Sequence, residues 1–316
     1  MPNDTGLFPP PPRADIVAAA LPGLTGLPKT LPAMLFYDKE GCRLFYEITK
    51  LPEYYLTRTE MALLPSILSN IVPPGLTDGM LVEFGGSDET KARLLLDRPD
   101  RPFSTYVPID VAAESLDAMQ ARMSRSHSWL NVLPVVGDFM QPLRLPKISG
   151  QPMGFFPGST IGNLDPSAAI RFLRTARRSL GQGARFLLGA DLRKSPDLLL
   201  PAYNDAAGVT AAFNLNLLRR LNTEAGADFD LRGFRHEARW NDAESRIEMH
   251  LISIRAQVVR LAGKIINFSE GESIHTENSY KHRAETLVRI AGEAGWDTLE
   301  IFQDHAGLFG EFLFQT

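Results

Sequence analysis

Between residues 81 and 192 the chain alternates short apolar runs with stretches of helical periodicity, and this alternation limits the fold more than any other feature. It opens at Leu81 to Arg93, reading LVEFGGSDETKAR. An apolar run ends Leu81-Val82-Glu83-Phe84, meets Gly85 and Gly86, passes a polar turn at Ser87-Asp88-Glu89 and becomes helical from Thr90. Strand, glycine turn and helix are how a doubly wound sheet presents its first βα loop to a nucleotide-like ligand. Glycine there allows positive φ and lets a ligand approach the backbone with no Cβ in the way. Any tight strand-to-helix turn favours two glycines, so the rest of the chain decides the reading.

The alternation continues regularly. Thr105 to Asp110 reads as a second strand ending in an acid, Ser115 to Ser124 as a helix, and Val132 to Val136 as a third strand closing at Gly137-Asp138-Phe139. Met153 to Phe156 is a short fourth strand opening into Pro157-Gly158-Ser159-Thr160-Ile161-Gly162-Asn163. Asp165-Pro166 then supplies an N-cap and first-turn proline for a helix to Leu180, and Arg185 to Leu192 is a fifth strand. Strands alternating with helices predict a parallel sheet with ligands at the C-terminal strand ends. The pattern stops at residues 195 to 280, with a helical piece around Tyr203 to Leu221 and strands at Phe234 to Trp240, Arg246 to Arg255 and Val258 to Leu261. It resumes with a helix at Ala284 to Ala294 and two apolar runs, Thr298 to Gln303 and Leu308 to Phe314, patterned as an antiparallel pair at a sheet edge.

Upstream, residues 30 to 70 are amphipathic, helical and unusually aromatic, with Thr59 to Ile71 a helix leading into the first strand. Pro52 places Tyr54 and Tyr55 at a bend, while Tyr46 and Tyr55 read as core rings with the hydroxyl at the rim. The organisation expected is a tail and part of a substrate-binding domain over 1–58, a core over 59–194 plus 281–316, and an inserted second part of the substrate-binding domain over 195–280.

At 316 residues the chain can bury a full core, and a net charge of −4 gives no general electrostatic reason to bind nucleic acid or anionic membrane. The single cysteine, Cys42, rules out an intrachain disulfide and a cysteine zinc cluster, as suits a reduced, cytoplasmic setting. The first residues, MPNDTGLFPPPPR, lack the basic and apolar regions of a secretory signal, and the Pro9 to Pro12 run reads as an extended tail. No apolar span approaches the roughly 20 residues a membrane helix needs.

The glycine turn also restricts its ligand. A dinucleotide site needs a third glycine and a helix N-terminus free to receive a pyrophosphate, but Asp88 and Glu89 put carboxylates where phosphates would sit. S-adenosylmethionine carries no phosphate and two cationic groups, which such a turn would welcome. Asp110 is placed to accept both ribose hydroxyls, and Asp138-Phe139 offers a carboxylate for the adenine amine and a ring for its face. Each acid alone is better explained as an N-cap or loop end. Three acidic strand ends in register favour the methyl donor.

The segments FYDKEGCRLFYEITKLPEYYLTRTE, STIGNL, LLGADLRKSPDLLLPAYNDAAGVTAAFNLNLLRRLN, RIEM and TENSYK resemble the histidine-specific α-N-methyltransferases of ergothioneine biosynthesis, which make hercynine. The resemblance runs from about residue 33 onward. It implies a class I Rossmann-like methyltransferase core, with a second substrate-binding domain formed by the N-terminal helices and the insertion between the fifth and sixth strands. It implies S-adenosylmethionine as co-substrate, no metal, L-histidine as substrate, no nucleic-acid or membrane partner, and a cytoplasmic monomer. Matched position by position, Asn163 and Tyr203 hold the substrate carboxylate, Glu277 and Ser279 one imidazole nitrogen, and Tyr54 the other. Tyr37 lies near the amino group, Met249 lines the imidazole pocket and Gly158 gives a backbone contact near the amine. Tyr37, Asn163 and Tyr203 are the catalytic set. Glu83, Gly85, Gly86, Ser87, Lys91, Asp110, Asp138 and Phe139 are the cofactor set, with Ser87 where methyltransferases usually carry the last glycine of the turn.

An imidazole has two nitrogens with distinct roles, so a site reading it needs hydrogen-bonding groups on both sides of the ring. Such a site rejects apolar isosteres by roughly 10⁴-fold in favourable cases. The implied chemistry is in-line methyl transfer to the neutral α-amine, repeated until no lone pair remains. An α-ammonium has a pKa of about 8 or somewhat higher, so desolvation and a water or tyrosine relay are expected to help deprotonation. Positioning can supply up to about 7–11 kcal/mol, and the faces of Tyr37 and Phe139 about 0.5–2 kcal/mol on cationic intermediates. The alternatives are an α-N-methyltransferase for another amino acid, such as tryptophan or arginine, and a non-catalytic S-adenosylmethionine-binding regulator.

Overall fold

The computed structural model describes residues 13–86, 88–146 and 150–316. The expectations placed on Ser87 and on the Pro9 to Pro12 run lie outside the described residues. The chain forms two compact units, one built from the residues up to Tyr54 with Ser195–Ser279, the other from Tyr55–Lys194 with Tyr280–Thr316.

In chain order the first unit begins with α1 (Ala14–Thr25), β1 (Lys29–Thr30) and α2 (Lys39–Ile48). The second unit follows with α3 (Tyr55–Ile71), β2 (Gly79–Phe84), α4 (Thr90–Leu96), β3 (Phe103–Asp110), α5 (Ala113–Ser126), β4 (Asn131–Val132), β5 (Val135–Val136), β6 (Pro152–Phe156), α6 (Pro166–Leu180) and β7 (Arg185–Asp191). The first unit resumes with α7 (Pro196–Ala202), α8 (Val209–Ala225), β8 (Phe234–Asn241), β9 (Arg246–Ser253), β10 (Gln257–Leu261), β11 (Lys264–Phe268) and β12 (Ser273–Tyr280). The second unit closes with α9 (Ala284–Glu293), β13 (Asp297–Gln303) and β14 (Phe309–Gln315).

The second unit holds the alternating sheet, ordered β13-β14-β7-β6-β2-β3-β4, with β5 also paired to β3. Strands β7, β6, β2 and β3 run parallel, and β14 is antiparallel to both β7 and β13. All six residues of β2 are buried, because helices cover both faces of the sheet. Val82 and Phe84 point into a core with Phe172 and Trp296, whereas Leu81 joins Leu64, Leu95 and Met119 on the other face. The strand order reverses between β2 and β6, which makes the C-terminal ends of those strands the place for a ligand. Asp165 caps α6 through the Ala168 N–H at 2.8 Å, as its sequence position predicts.

The first unit contains a sheet ordered β1-β12-β9-β8 and a separate β10–β11 hairpin. Its aromatic centre is set by Phe36, which stacks on Phe213 of α8 at 4.4 Å.

Several expectations need correcting. The third strand is broken into β4 and β5, since Pro134 between them has no N–H to pair. The helix expected from Tyr203 starts only at Val209: Asp205 takes the N–H groups of Val209 and Thr210, so Tyr203 caps α7 instead. Tyr46 is not a core ring; it is 54% exposed on α2, with the Lys50 ammonium over its face at 3.9 Å. The hydroxyl of Tyr55 is buried rather than at a rim. Strands β11 and β12 are additional, whereas β13 and β14 form the expected antiparallel pair at one edge of the sheet, with β13 outermost.

Tyr55 leads to the most concentrated charge in this unit. Asp191, at the end of β7, is fully buried and accepts the Tyr55 hydroxyl at 2.9 Å. Its carboxylate pairs with Lys194 and, at 2.8 Å, with the equally buried Lys281. Burial pushes Lys194 down to about 8 despite Asp191 beside it. Removing one partner of a buried pair strands the other charge, at a cost of about 3–5 kcal/mol. Asp191→Ala is therefore expected to lower the unfolding free energy by about that amount, read from urea denaturation; a loss below about 1 kcal/mol would show that the cluster is not a structural tie.

Candidate active site

Within the second unit the ends of β2, β3 and β5 carry the residues expected at the cofactor. Glu83 is buried and receives the Tyr106 hydroxyl from the adjacent strand. Burial pushes its carboxyl up to about 8, with the Tyr106 hydroxyl and the Lys91 charge pulling the other way. The N–H groups of Gly85 and Gly86 both donate to the Ile109 carbonyl, at 2.8 and 3.0 Å, which ties the turn to β3. Gly85 has φ of 81°, and a Cβ there would stand 3.9 Å from the Phe139 ring edge. The turn and Phe139 thus border the same open space, which a side chain at 85 would fill. Phe139 is itself braced against Phe156 and Phe172 at 5.5 and 5.4 Å.

Asp110 ends β3 half-buried, with one oxygen taken by the Ala112 N–H at 2.9 Å. Burial raises its carboxyl, so hydroxyl donors on the other oxygen would be favourable partners. Asp138 accepts the Met140 N–H at 2.8 Å, the loop-capping role a strand-end acid often has.

Lys91 pairs with Glu60 of α3 at 2.5 Å, and the other Glu60 oxygen takes the Gly158 N–H at 2.8 Å. Glu60 is fully buried and holds two of the expected site residues at once. Next to it is Glu311, directly across the β14–β7 ladder from Gly189. Burial, then the charge of Glu60, hold the Glu311 carboxyl well above the usual carboxylate range. A Cβ on Gly189 would come within 2.6 Å of Glu60 and 3.2 Å of Glu311, so the carboxyl pair requires glycine there. Sequence reading missed both acids; the one available signal was a glycine inside an otherwise apolar strand, which marks close approach. Asn163 ends the tight turn Thr160–Asn163, and the preceding Ser159, at φ 60°, accepts the Asp191 N–H at 2.9 Å.

Within the first unit the expected substrate residues from four separate stretches join in one series. Tyr37 meets Phe45 edge-on at 6.3 Å, Phe45 meets Tyr54 at 6.4 Å, and Tyr54 meets Tyr203 at 6.4 Å. The Tyr203 hydroxyl then shares a hydrogen bond with Ser279 at 2.8 Å. Met249 is buried on β9, its carbonyl taking the Thr276 hydroxyl of β12 at 3.0 Å. Glu277 is half-buried between Thr276 and Ser279 on β12. Phe45 and Phe213, which link the tyrosines, are additional to the sequence reading.

The family profile described as histidine-specific methyltransferase, SAM-dependent, matches residues 16–316. The chain belongs to that family. It is 43% identical to the histidine N-alpha-methyltransferase of Mycolicibacterium smegmatis, covering 94% of this chain and 95% of that one. The Mycobacterium tuberculosis protein of the same name is 40% identical, covering 91% of each. An S-adenosylmethionine-dependent methyltransferase from Clostridium acetobutylicum superposes with a TM-score of 0.52 at 12% identity, over 87% of this chain and 98% of that chain, which establishes the Rossmann-like fold alone. Among the described residues no helix is long and apolar enough to cross a membrane.

In this methyltransferase the buried Glu83 has a consequence for stability. Its folded pKa of about 8 lies above the ordinary 4.5, so folding holds a proton that the unfolded chain releases. The stability this gives is complete below pH 4.5 and is lost as pH rises to about 8. Glu83→Gln is expected to flatten part of the fall in stability between pH 5 and 8, measured by denaturation without ligands; an unchanged slope would refute the assignment.

Proposed function

We infer that this methyltransferase uses S-adenosylmethionine to methylate the α-amino group of L-histidine, three times in succession, giving hercynine for ergothioneine biosynthesis. The observation that carries this reading is the series Tyr37, Phe45, Tyr54, Tyr203 and Ser279, because it unites the family's substrate positions from distant parts of the chain. Tyr54 on one side, with Glu277 and Ser279 on the other, reads the two imidazole nitrogens, and Met249 shapes the apolar wall. Tyr203 and Asn163 take the carboxylate. Tyr37 and the Gly158 backbone attend the amine.

Bound S-adenosylmethionine supplies a methyl group on a sulfonium, whose leaving group is a neutral thioether needing no Lewis acid. The turn at Gly85, the Phe139 ring and Asp110 suit it, and Glu83, Gly86, Ser87, Lys91 and Asp138 are assigned to it from the sequence. The protein's task is then to hold a neutral amine in line and keep water away, where orientation supplies most of the rate. The tyrosine faces add attraction for the methylated ammonium, about 0.5–2 kcal/mol. Net charge of −4 agrees with a small-molecule substrate rather than nucleic acid or membrane. The enzyme is taken to work as a cytoplasmic monomer.

Incubation with histidine and S-adenosylmethionine should give products heavier by one, two and three methyl groups. Products from tryptophan or arginine but none from histidine would overturn the substrate. In calorimetry, Glu277→Ala is expected to weaken histidine binding at least tenfold while S-adenosylmethionine binding survives; unchanged histidine affinity would refute the pocket assignment.

A further inference from the structure

The first unit holds a polar cluster that the reaction does not use. Glu248 and His250 stand two residues apart on β9, so their side chains leave the same face of the sheet, and His275 stands on β12. One oxygen of Glu248 and one nitrogen from each imidazole lie within 4.8 Å of one another. The two rings are stacked, 4.7 Å apart and 19° from parallel.

The hydrogen bonds around Glu248 and His275 are arranged as they are around metal ligands. Glu248 Oε1 receives Arg246 Nε and Nη2 at 2.8 and 2.7 Å and Asn241 Nδ2 at 2.9 Å. Its Oε2 faces His250 Nε2 at 3.1 Å. His275 Nε2 donates to the Glu277 carbonyl at 3.0 Å, which leaves Nδ1 as that ring's bare lone pair. Carboxylates anchored through one oxygen and imidazoles anchored through the far N–H are the usual outer shell of a metal site. His250 is 6% exposed, and its Nδ1 is buried without a partner among the described residues. An orphaned imidazole nitrogen in such a place calls for a ligand.

We propose that Glu248, His250 and His275 bind a divalent transition-metal ion of the zinc class. Two imidazoles and one carboxylate are a donor set for Zn²⁺, with a fourth position open to water. Tetrahedral ligands about 2.0–2.1 Å from zinc stand about 3.3 Å apart, so modest side-chain rotation closes the cluster. The neighbouring charges permit this. Arg246 is committed to Oε1, and Arg239, across from Glu248 on β8, is paired with Glu237 at 2.6 Å. The sequence reading expected no metal, and the methyl transfer needs none. This ion would brace β12 just before Glu277 and Ser279.

The test uses the full chain stripped of metal by chelation. Titration with Zn²⁺ should show one equivalent bound with a raised Tm, and Co²⁺ should give visible absorption bands of a four- or five-coordinate site. Glu248→Gln and the double variant His250→Asn with His275→Asn should each weaken Zn²⁺ binding at least tenfold, whereas Cys42→Ser should leave it unchanged. Absence of binding, or undiminished binding in the double variant, overturns the proposal. Should the double variant fail to fold, X-ray absorption of the zinc-loaded native chain decides: two imidazoles and oxygen support the site, and a sulfur ligand or fewer imidazoles overturns it.

Discussion

The carboxylate of Asp191 is the constraint on which most of the second unit depends. It gathers Tyr55 from the start of α3, Lys194 from beyond β7 and Lys281 from beyond β12. The chain leaves or enters this unit after Tyr54, Lys194 and Ser279, so each partner stands within two residues of a crossing. One buried anion thereby fixes three chain directions at once. Two ammonium groups and a phenol around it leave an excess of positive charge, and burial answers by making Lys194 easier to deprotonate. The arrangement costs more desolvation than an apolar core would, and it gains a defined geometry instead. The residues next to the crossings, Tyr54 and Ser279, belong to the aromatic and hydroxyl series that carries the substrate reading.

A second buried set works by neutralisation rather than pairing. Glu60 and Glu311 face one another beside Gly189, and two ionised carboxylates there would repel strongly. Lys91 and the Gly158 N–H both donate to Glu60, while burial, then the charge of Glu60, hold the Glu311 carboxyl well above the usual carboxylate range. The same helix carboxylate therefore sets both the Lys91 side chain and the backbone at Gly158. Glu83, on β2, is a further buried acid in the same sheet, with Tyr106 as its donor. The cofactor end of the sheet is thus built on acids whose protonation burial controls.

Much of this was legible in the sequence, for identifiable reasons. Strand and helix periodicity, the Gly85-Gly86 turn and the Asp165-Pro166 cap are local signals, and the parallel sheet follows from them. What was missed depends on pairing across the chain. The strand SIHTENSY reads as polar because one face of β12 carries His275 and Glu277, and Tyr203 reads as helical until Asp205 is seen to cap the next helix. Asp191 looks like any acid at a strand end. Glu248 and His250 become a cluster only when β12 brings His275 alongside, which no spacing within RIEMH announces. The proposed substrate residues rest on family resemblance rather than on periodicity, since TENSYK alone says nothing about an imidazole.

The six histidines show how the chain divides its work. His127 pairs with Asp97 at 2.5 Å, and His236 bridges the Asn214 side chain and the Tyr203 carbonyl at 2.9 and 2.8 Å. His250 and His275 form the proposed metal cluster, and His282 is stacked on Tyr280 with burial pushing it down to about 4. His305 is exposed near the turn between β13 and β14. The first five imidazoles have structural places of their own, and the residues proposed around the substrate amine include none of them. A site that must accept an imidazole as substrate gains from this economy, because a second imidazole used as a base would compete for the same hydrogen-bonding partners. The proton that leaves before each transfer is then governed by the amine's own pKa and by its desolvation. Successive methylation lowers the hydration of the ammonium, so in the proposed site the later steps would depend more on ring faces and less on hydroxyls.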